Sequence, residues 1–137
     1  MDQIISAVLR ERRTFNLHGR EEGSIMTTYR ALFHLNDNRS APGVFANIRN
    51  LLDDLDDDVA IEVVGNGEGV KTFLITGKHA DEVKALSGKN VSFAACSNSL
   101  RSHGFTKDDL PRCVTIVPSG VGEIVRRQAE GYAYLKP

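Results

Sequence analysis

The chain has 137 residues, 41% of them hydrophobic and 26% charged, with a net charge of -1 and no tryptophan, the size of one domain and the composition of a folded globular protein. A pI near 6.4 excludes a global basic field of the kind that draws in nucleic acid or anionic lipid. Two cysteines, Cys96 and Cys113, lie far apart and outside any CxxC, which excludes a disulfide framework and a zinc spacing and points to a reducing cytoplasm.

Residues 1–25 read apart from the rest. "MDQIISAVLRERR" predicts a short helix with Ile4, Ile5, Val8 and Leu9 on one face. Its apolar piece is too short to span a membrane and lacks a signal-like cleavage region. "GREEGSI" reads as a flexible joint leading to Met26. Either this segment is a native extension that docks on the body or helps assembly, or Met26 is the natural start and the first 25 residues are upstream sequence. The second reading is preferred, which leaves residues 26–137 as the domain.

From Met26 onward, strand and helix patterns alternate. "YRALFHL" (29–35) predicts a strand. "APGVFANIRNLLDDL" (41–55) predicts a helix, with Val44, Ile48, Leu51, Leu52 and Leu55 at helical spacing and Pro42 in its first turn. "VAIEVVG" (59–65) is a β-branched strand. "VKTFLI" and "HADEVKALSG" predict a helix in two pieces broken at Gly77. "NVSFAA" (90–95) is a strand and "SNSLRSHG" a short helix stopped by Gly104. "CVTIVP" (113–118) is a strand. "GVGEIVRRQAEG" predicts a helix with Val121, Ile124, Val125 and Gln128 on one side and Gly131 at its end. "YAYLKP" adds a final edge strand.

Apolar strands separated by helices mark a mainly parallel sheet covered on both faces. The predicted fold is therefore α/β, a single three-layer α/β/α domain with about five strands. In such sheets ligands and chemistry lie beyond the carboxyl ends of the strands. The exit loops there are "NDNRSAPG", "GNGEGV", "CSNS" and "PSGVG".

Cys96 follows a strand directly and opens a helix, where backbone N–H groups and the positive end of the helix favour a thiolate. The bland alternative is a small buried hydrophobe, the commonest use of a lone cysteine. Cys113 opens the next strand at the opposite end of the sheet and reads as structural. "GNGEGVKT" fails as a Walker loop and as a dinucleotide fingerprint because Val70 stands where glycine is needed. In "PSGVGEI", Ser119 is a helix cap, and Gly120 and Gly122 leave N–H groups open to an anion. Asp53, Asp54, Asp56, Asp57 and Asp58 resemble metal ligands but sit at a helix C-terminus, in a loop leading into a strand, and read as a solvated turn. His34 reads as packed within the first strand. His103, about 10 Å from Cys96 by helical rise, suits the helix end better than a base for the thiol.

Taken in order, "ALFHLND", "VVGNGEGV", "VSFAACSNSLRSHG" and "VPSGVGEIVRRQAEGYAYLKP" resemble the DsrE/DsrF-like family of small sulfur-relay proteins, across the whole of residues 26–137. The resemblance implies an α/β/α fold assembling into dimers, trimers or hexamers. It implies that Cys96 takes up sulfane sulfur as a persulfide from a donor protein and passes it to an acceptor. Asn66, Gly67, Ser97, Asn98, Ser119 and Gly120 would line its pocket, with Asn36 to Ser40 as a further wall. It calls for no metal, nucleotide or flavin, and for no nucleic-acid or membrane partner. Relatives often carry histidine where this chain has Asn66, so no proton-shuttling role is assigned there. The rival expectation is a non-catalytic oligomeric module binding a small anion or a protein in the same crevice, with Cys96 incidental.

Overall fold

The structure, a computed structural model, describes residues 11–15, 21–26 and 28–137. Glu11–Phe15 (β1) and Glu21–Met26 (β2) pair antiparallel as a two-stranded ribbon, with an irregularity between Thr14 and Phe15. The helix expected over the first thirteen residues falls largely outside the described residues, and its last part, Glu11 to Arg13, is strand. Most of the expected joint, Glu21 to Ile25, is strand as well. Thr14, Phe15 and Ile25 are β-branched or aromatic, the types that suit a pleated backbone.

The body is built on five parallel strands: Tyr29–Leu35 (β3), Val59–Gly65 (β4), Val91–Cys96 (β5), Val114–Val117 (β6) and Ala133–Leu135 (β7). Their order across the sheet is β6-β5-β4-β3-β7. Four helices, Ala41–Asp54 (α1), Ala80–Ser87 (α2), Ser97–Ser102 (α3) and Gly120–Ala129 (α4), connect them. This is the single three-layer α/β domain that the apolar strand runs predict.

Handedness assigns the helices to faces. From β3 through β4 and β5 to β6 the chain steps in one direction across the sheet. Right-handed crossovers then lay the connecting helices on one face. There Phe33, Val63 and Phe93 pack with Val44 and Ile48 of α1, Val83 and Leu86 of α2 and Leu100 of α3. The step from β6 to β7 runs back across the sheet, so α4 must lie on the other face. Its Ile124 packs there with Leu32, Val64, Ala94 and Val117. Among the described residues α4 is the only helix on that face.

Two segments differ from expectation for identifiable reasons. The first half of the predicted two-piece helix is a 3-10 helix, Gly67–Phe73, set earlier in the chain. Its buried Val70 and Phe73 are three apart, a spacing that a three-residue turn superposes on one face. Gly69 seats this turn against β3, since a Cβ there would lie 1.8 Å from the Leu35 carbonyl oxygen. In α4 the inward residues are Gly120, Glu123 and Ile124. Of the expected apolar side, Ile124 is packed, whereas Val121 and Val125 face out, at 62% and 68% exposure.

Beneath α4 lies a buried charged group. Glu62 of β4 is 3% exposed, with Oε1 2.7 Å from Arg127 Nε. Arg127 also holds Glu123 at 3.1 Å and Glu130 at 2.9 Å. The second oxygen of Glu62 has no donor among the described residues. Burial, then the adjoining Glu123 carboxyl, push the Glu62 pKa up to about 8 against the pull of Arg127. Glu62 therefore keeps its proton at neutral pH and can donate it to Glu123.

Candidate functional site

Topology locates the crevice before any side chain is considered. The exit from β5 turns into α3 on one face of the sheet, and the exit from β6 turns into α4 on the other. Neighbouring exits that part in this way leave a gap between them, where open α/β sheets bind ligands. Cys96 ends β5 on one side of that gap. Ser119 and Gly120 open α4 on the other.

Cys96 is 5% exposed and is itself the N-cap of α3, its Sγ accepting the Ser99 N–H at 3.4 Å. Burial pushes the thiol pKa up. Hydrogen bonds from the Ser99 side chain and from the backbone N–H groups of Ser99, Gly120 and Asn98 outweigh it and bring the thiol below its ordinary value. The sulfur thus sits at the first turn of α3, with the first turn of α4 packed beside the cysteine from the opposite face of the sheet.

The close approach of α4 requires glycine at 120. A Cβ there would lie 3.0 Å from Asn66 Cβ and 3.4 Å from Cys96 Cβ. Asn66 and Cys96 therefore both flank the opening of α4. Gly67 donates its N–H to Ser99 Oγ at 2.7 Å, joining the β4 exit to α3. Ser119 accepts from Gly122 N at 3.0 Å and caps α4. Ser97 and Asn98 place backbone at the site, but their side chains hold Arg101, Ser97 Oγ accepting at 3.0 Å. The segment from Asn36 borders the β4 exit, its carbonyl oxygen 3.4 Å from where a Gly67 Cβ would be. Asp37 caps the short turn Asn38–Ser40 by accepting the Arg39 N–H at 2.9 Å.

Three residues outside the sequence-derived set belong here. Ser99 is the first; its only signal in the sequence is its place three residues after a cysteine that opens a helix. His34 and Tyr134 are the others. His34 is half-buried, with Nε2 2.9 Å from Asn66 Oδ1 and Nδ1 2.6 Å from the Tyr134 hydroxyl. Because Oδ1 only accepts, Nε2 carries the proton and Tyr134 donates to Nδ1. His34 is thus tied to the wall of the crevice as well as packed in β3. His103 caps the far end of α3 and faces Glu68 at 3.6 Å.

Cys113 precedes β6 and is free, as is Cys96. It lines a separate hollow of about 620 Å³ with Ile75, Lys84 and Arg112. In the acidic turn Asp56 and Asp57 take positive φ values, 51° and 63°, a conformation that aspartate tolerates. Among the described residues no group of three or more His, Cys, Asp or Glu side chains is placed to hold a metal ion. No helix among them is long and apolar enough to cross a membrane.

No curated protein matches the chain. A solved structure of a protein of unknown function from Methanobacterium thermoautotrophicum is 43% identical and superposes with a TM-score of 0.76, over 80% of this chain and 99% of that one. The model of the DsrE/DsrF-like family matches residues 24–137, which takes in all five parallel strands and every residue around the crevice. The chain belongs to the DsrE/DsrF-like family.

Proposed function

We propose that this protein is a sulfur carrier that holds sulfane sulfur as a persulfide on Cys96 and hands it to a partner protein. The observation that best supports the reading is the placement of Cys96 at the N-cap of α3, its Sγ accepting the Ser99 N–H at 3.4 Å with the glycine opening of α4 packed beside it, which favours the thiolate, the nucleophilic form. The Cys96 thiolate attacks the outer sulfur of a donor persulfide. A new S–S bond forms at Sγ, the donor's S–S bond breaks, and its electron pair leaves with the donor thiolate. An acceptor thiolate then attacks the outer sulfur now on Cys96 and returns Cys96 to the thiolate, with no net oxidation. Two free cysteines fit a reducing compartment such as the cytoplasm. Exposed Val121 and Val125, on a helix alone on its face among the described residues, support a homo-oligomer.

The test is intact mass after incubation of the reduced protein with a persulfide donor, alongside Cys96→Ser and Cys113→Ser. One added sulfur is expected in wild type and in Cys113→Ser, absent in Cys96→Ser and removed by reductant. No uptake by wild type, or equal uptake without Cys96, would sink the reading. Transfer of the label to an acceptor thiol protein completes the relay.

A further inference from the structure

A polar diagonal crosses the sheet on the face that α4 covers. Tyr134 of β7 stands level with Leu32, His34 of β3 with Val64, and Gly65 with Ala95, so Asn66 and Cys96 come level one residue later. Alternation puts Tyr134, His34, Asn66 and Cys96 on the side of Leu32, Val64 and Ala94. Two strands and two residues part His34 from Cys96, more than about 10 Å. Asn66 stands between them. Its backbone is extended and carries the ladder past the end of β4, its N–H donating to the Leu35 carbonyl at 3.1 Å. Its carboxamide has an oxygen that accepts and a nitrogen that donates, on opposite branches of one planar carbon. His34 Nε2 takes the oxygen at 2.9 Å, on the β3 side. The nitrogen is thereby turned to the β5 side, where Cys96 and the opening of α4 lie. The two side chains leave the backbone close together, since a Cβ on Gly120 would be 3.0 Å from Asn66 Cβ and 3.4 Å from Cys96 Cβ. Among the described residues the amide nitrogen has no acceptor. Turned over, the carboxamide would set N–H against N–H at His34 and offer an oxygen to the crevice.

We propose that Asn66 is the anion-binding residue of the crevice and His34 its positioning residue: the Asn66 amide donates to a negatively charged group beside Cys96, and His34 holds the amide so that it faces the crevice as a donor. A hydrogen bond to an ionised acceptor is stronger than one to a neutral acceptor. The crevice therefore selects an anionic sulfur or oxyanion, such as the ionised outer sulfur of a persulfide, over a neutral group. The selection is set from β3, a strand that does not itself touch the cysteine. The inference rests on Cys96 being the reactive group of the proposed function, but not on what that group carries.

The test compares iodoacetate with iodoacetamide, alkylating reagents of one mechanism and similar size that differ in charge. Their rates at the Cys96 peptide are followed by mass spectrometry. The ratio of the anionic to the neutral reagent cancels the thiolate fraction, on which both rates depend. Loss of a hydrogen bond to a charged group predicts a ratio about tenfold lower in Asn66→Ala and in the bulkier Asn66→Leu. His34→Leu should lower it as well. His34→Gln, whose amide can still donate to Asn66, should restore it. A purely structural role would change both rates together and leave the ratio alone. Alkylation of Cys113 at its wild-type rate, in the same digest, certifies the fold of each variant. A wild-type ratio in Asn66→Ala and Asn66→Leu overturns the proposal. An unchanged ratio in His34→Leu, or an equal loss in His34→Leu and His34→Gln, overturns the positioning role. Sulfur uptake by wild type is scored separately. A ratio that falls as expected without any sulfur uptake would sink the carrier reading and leave this one standing.

Discussion

At Cys96 the decisive neighbour is a residue with no side chain. Gly120 lets α4 open directly against the cysteine and Asn66, and a methyl group there meets atoms that have little room to give. Gly120→Ala is expected to slow Cys96 alkylation severalfold, and more for a bulky maleimide than for iodoacetamide. The ratio of the two rates is the measurement, and an unchanged ratio would mean that Gly120 does not gate access. The position of Cys96 was legible in the sequence because an apolar strand run stops at it and a polar helix start follows. The contribution of Ser99 was not. Serine is common in first turns, and the amide that orients its hydroxyl comes from a loop that only the folded sheet brings near. His34 was hidden for a related reason: nothing in "YRALFHL" announces that the exit of the next strand will place an asparagine beside its ring.

The elements make different demands on the chain. The 3-10 turn Gly67–Phe73 is anchored by Phe73, fully buried and edge-on to Phe93 with ring centroids 5.7 Å apart. Phe73→Ala should cost about 3–5 kcal/mol in chemical denaturation. Because the same turn presents Gly67 to Ser99, whose N–H reaches Cys96 Sγ, the variant should also move the Cys96 alkylation profile upward in pH.

The contact between α4 and β4 carries a pH dependence. Glu62 titrates at about 8 in the folded protein against an ordinary 4.5. Between those values the folded chain holds a proton that the unfolded chain has released. The stability it contributes is full below pH 4.5, falls as pH rises, and is lost above about 8. Glu62→Gln supplies an amide donor to Glu123 at every pH and still offers an oxygen to Arg127. Its melting temperature relative to wild type should therefore climb from pH 5 to 8 and then level off. A difference that is flat with pH would show that the carboxyl is ionised throughout. The helix pattern of α4 was legible, and so was Ile124 as a packed residue, but the rest of its packed side was not. Val121 and Val125 look like core in sequence, whereas β4 places an acid under the helix, so that Glu123 turns inward and the half-buried Arg127 reaches across to both carboxyls.

For the whole molecule, the parallel sheet could be read from its apolar runs, and the order of its strands could not. That order depends on the chain reversing direction after β6, which sends β7 to pair with β3 at the far edge. The same reversal leaves α4 to cover its face unaided among the described helices. If a second copy completes that face, as the oligomer in the proposed function requires, a charge at its most exposed valine will oppose assembly. Val125→Asp is expected to shift the mass measured by light scattering toward the monomer while leaving the circular dichroism spectrum intact. An unchanged mass would place the subunit contact elsewhere.

The C-terminal strand has an optical consequence. The chain contains three tyrosines and no tryptophan, so tyrosine emission is not masked. Tyr134 donates its phenolic proton to an imidazole that in turn grips the crevice wall at Asn66. A phenol bonded to a base is quenched in its excited state, so an occupant beside Cys96 that displaces Asn66 and frees the His34 ring to turn away from the phenol should brighten it. The protein thus carries an intrinsic, label-free reporter of its own site, and Tyr134→Phe should abolish the signal without altering what it reports on.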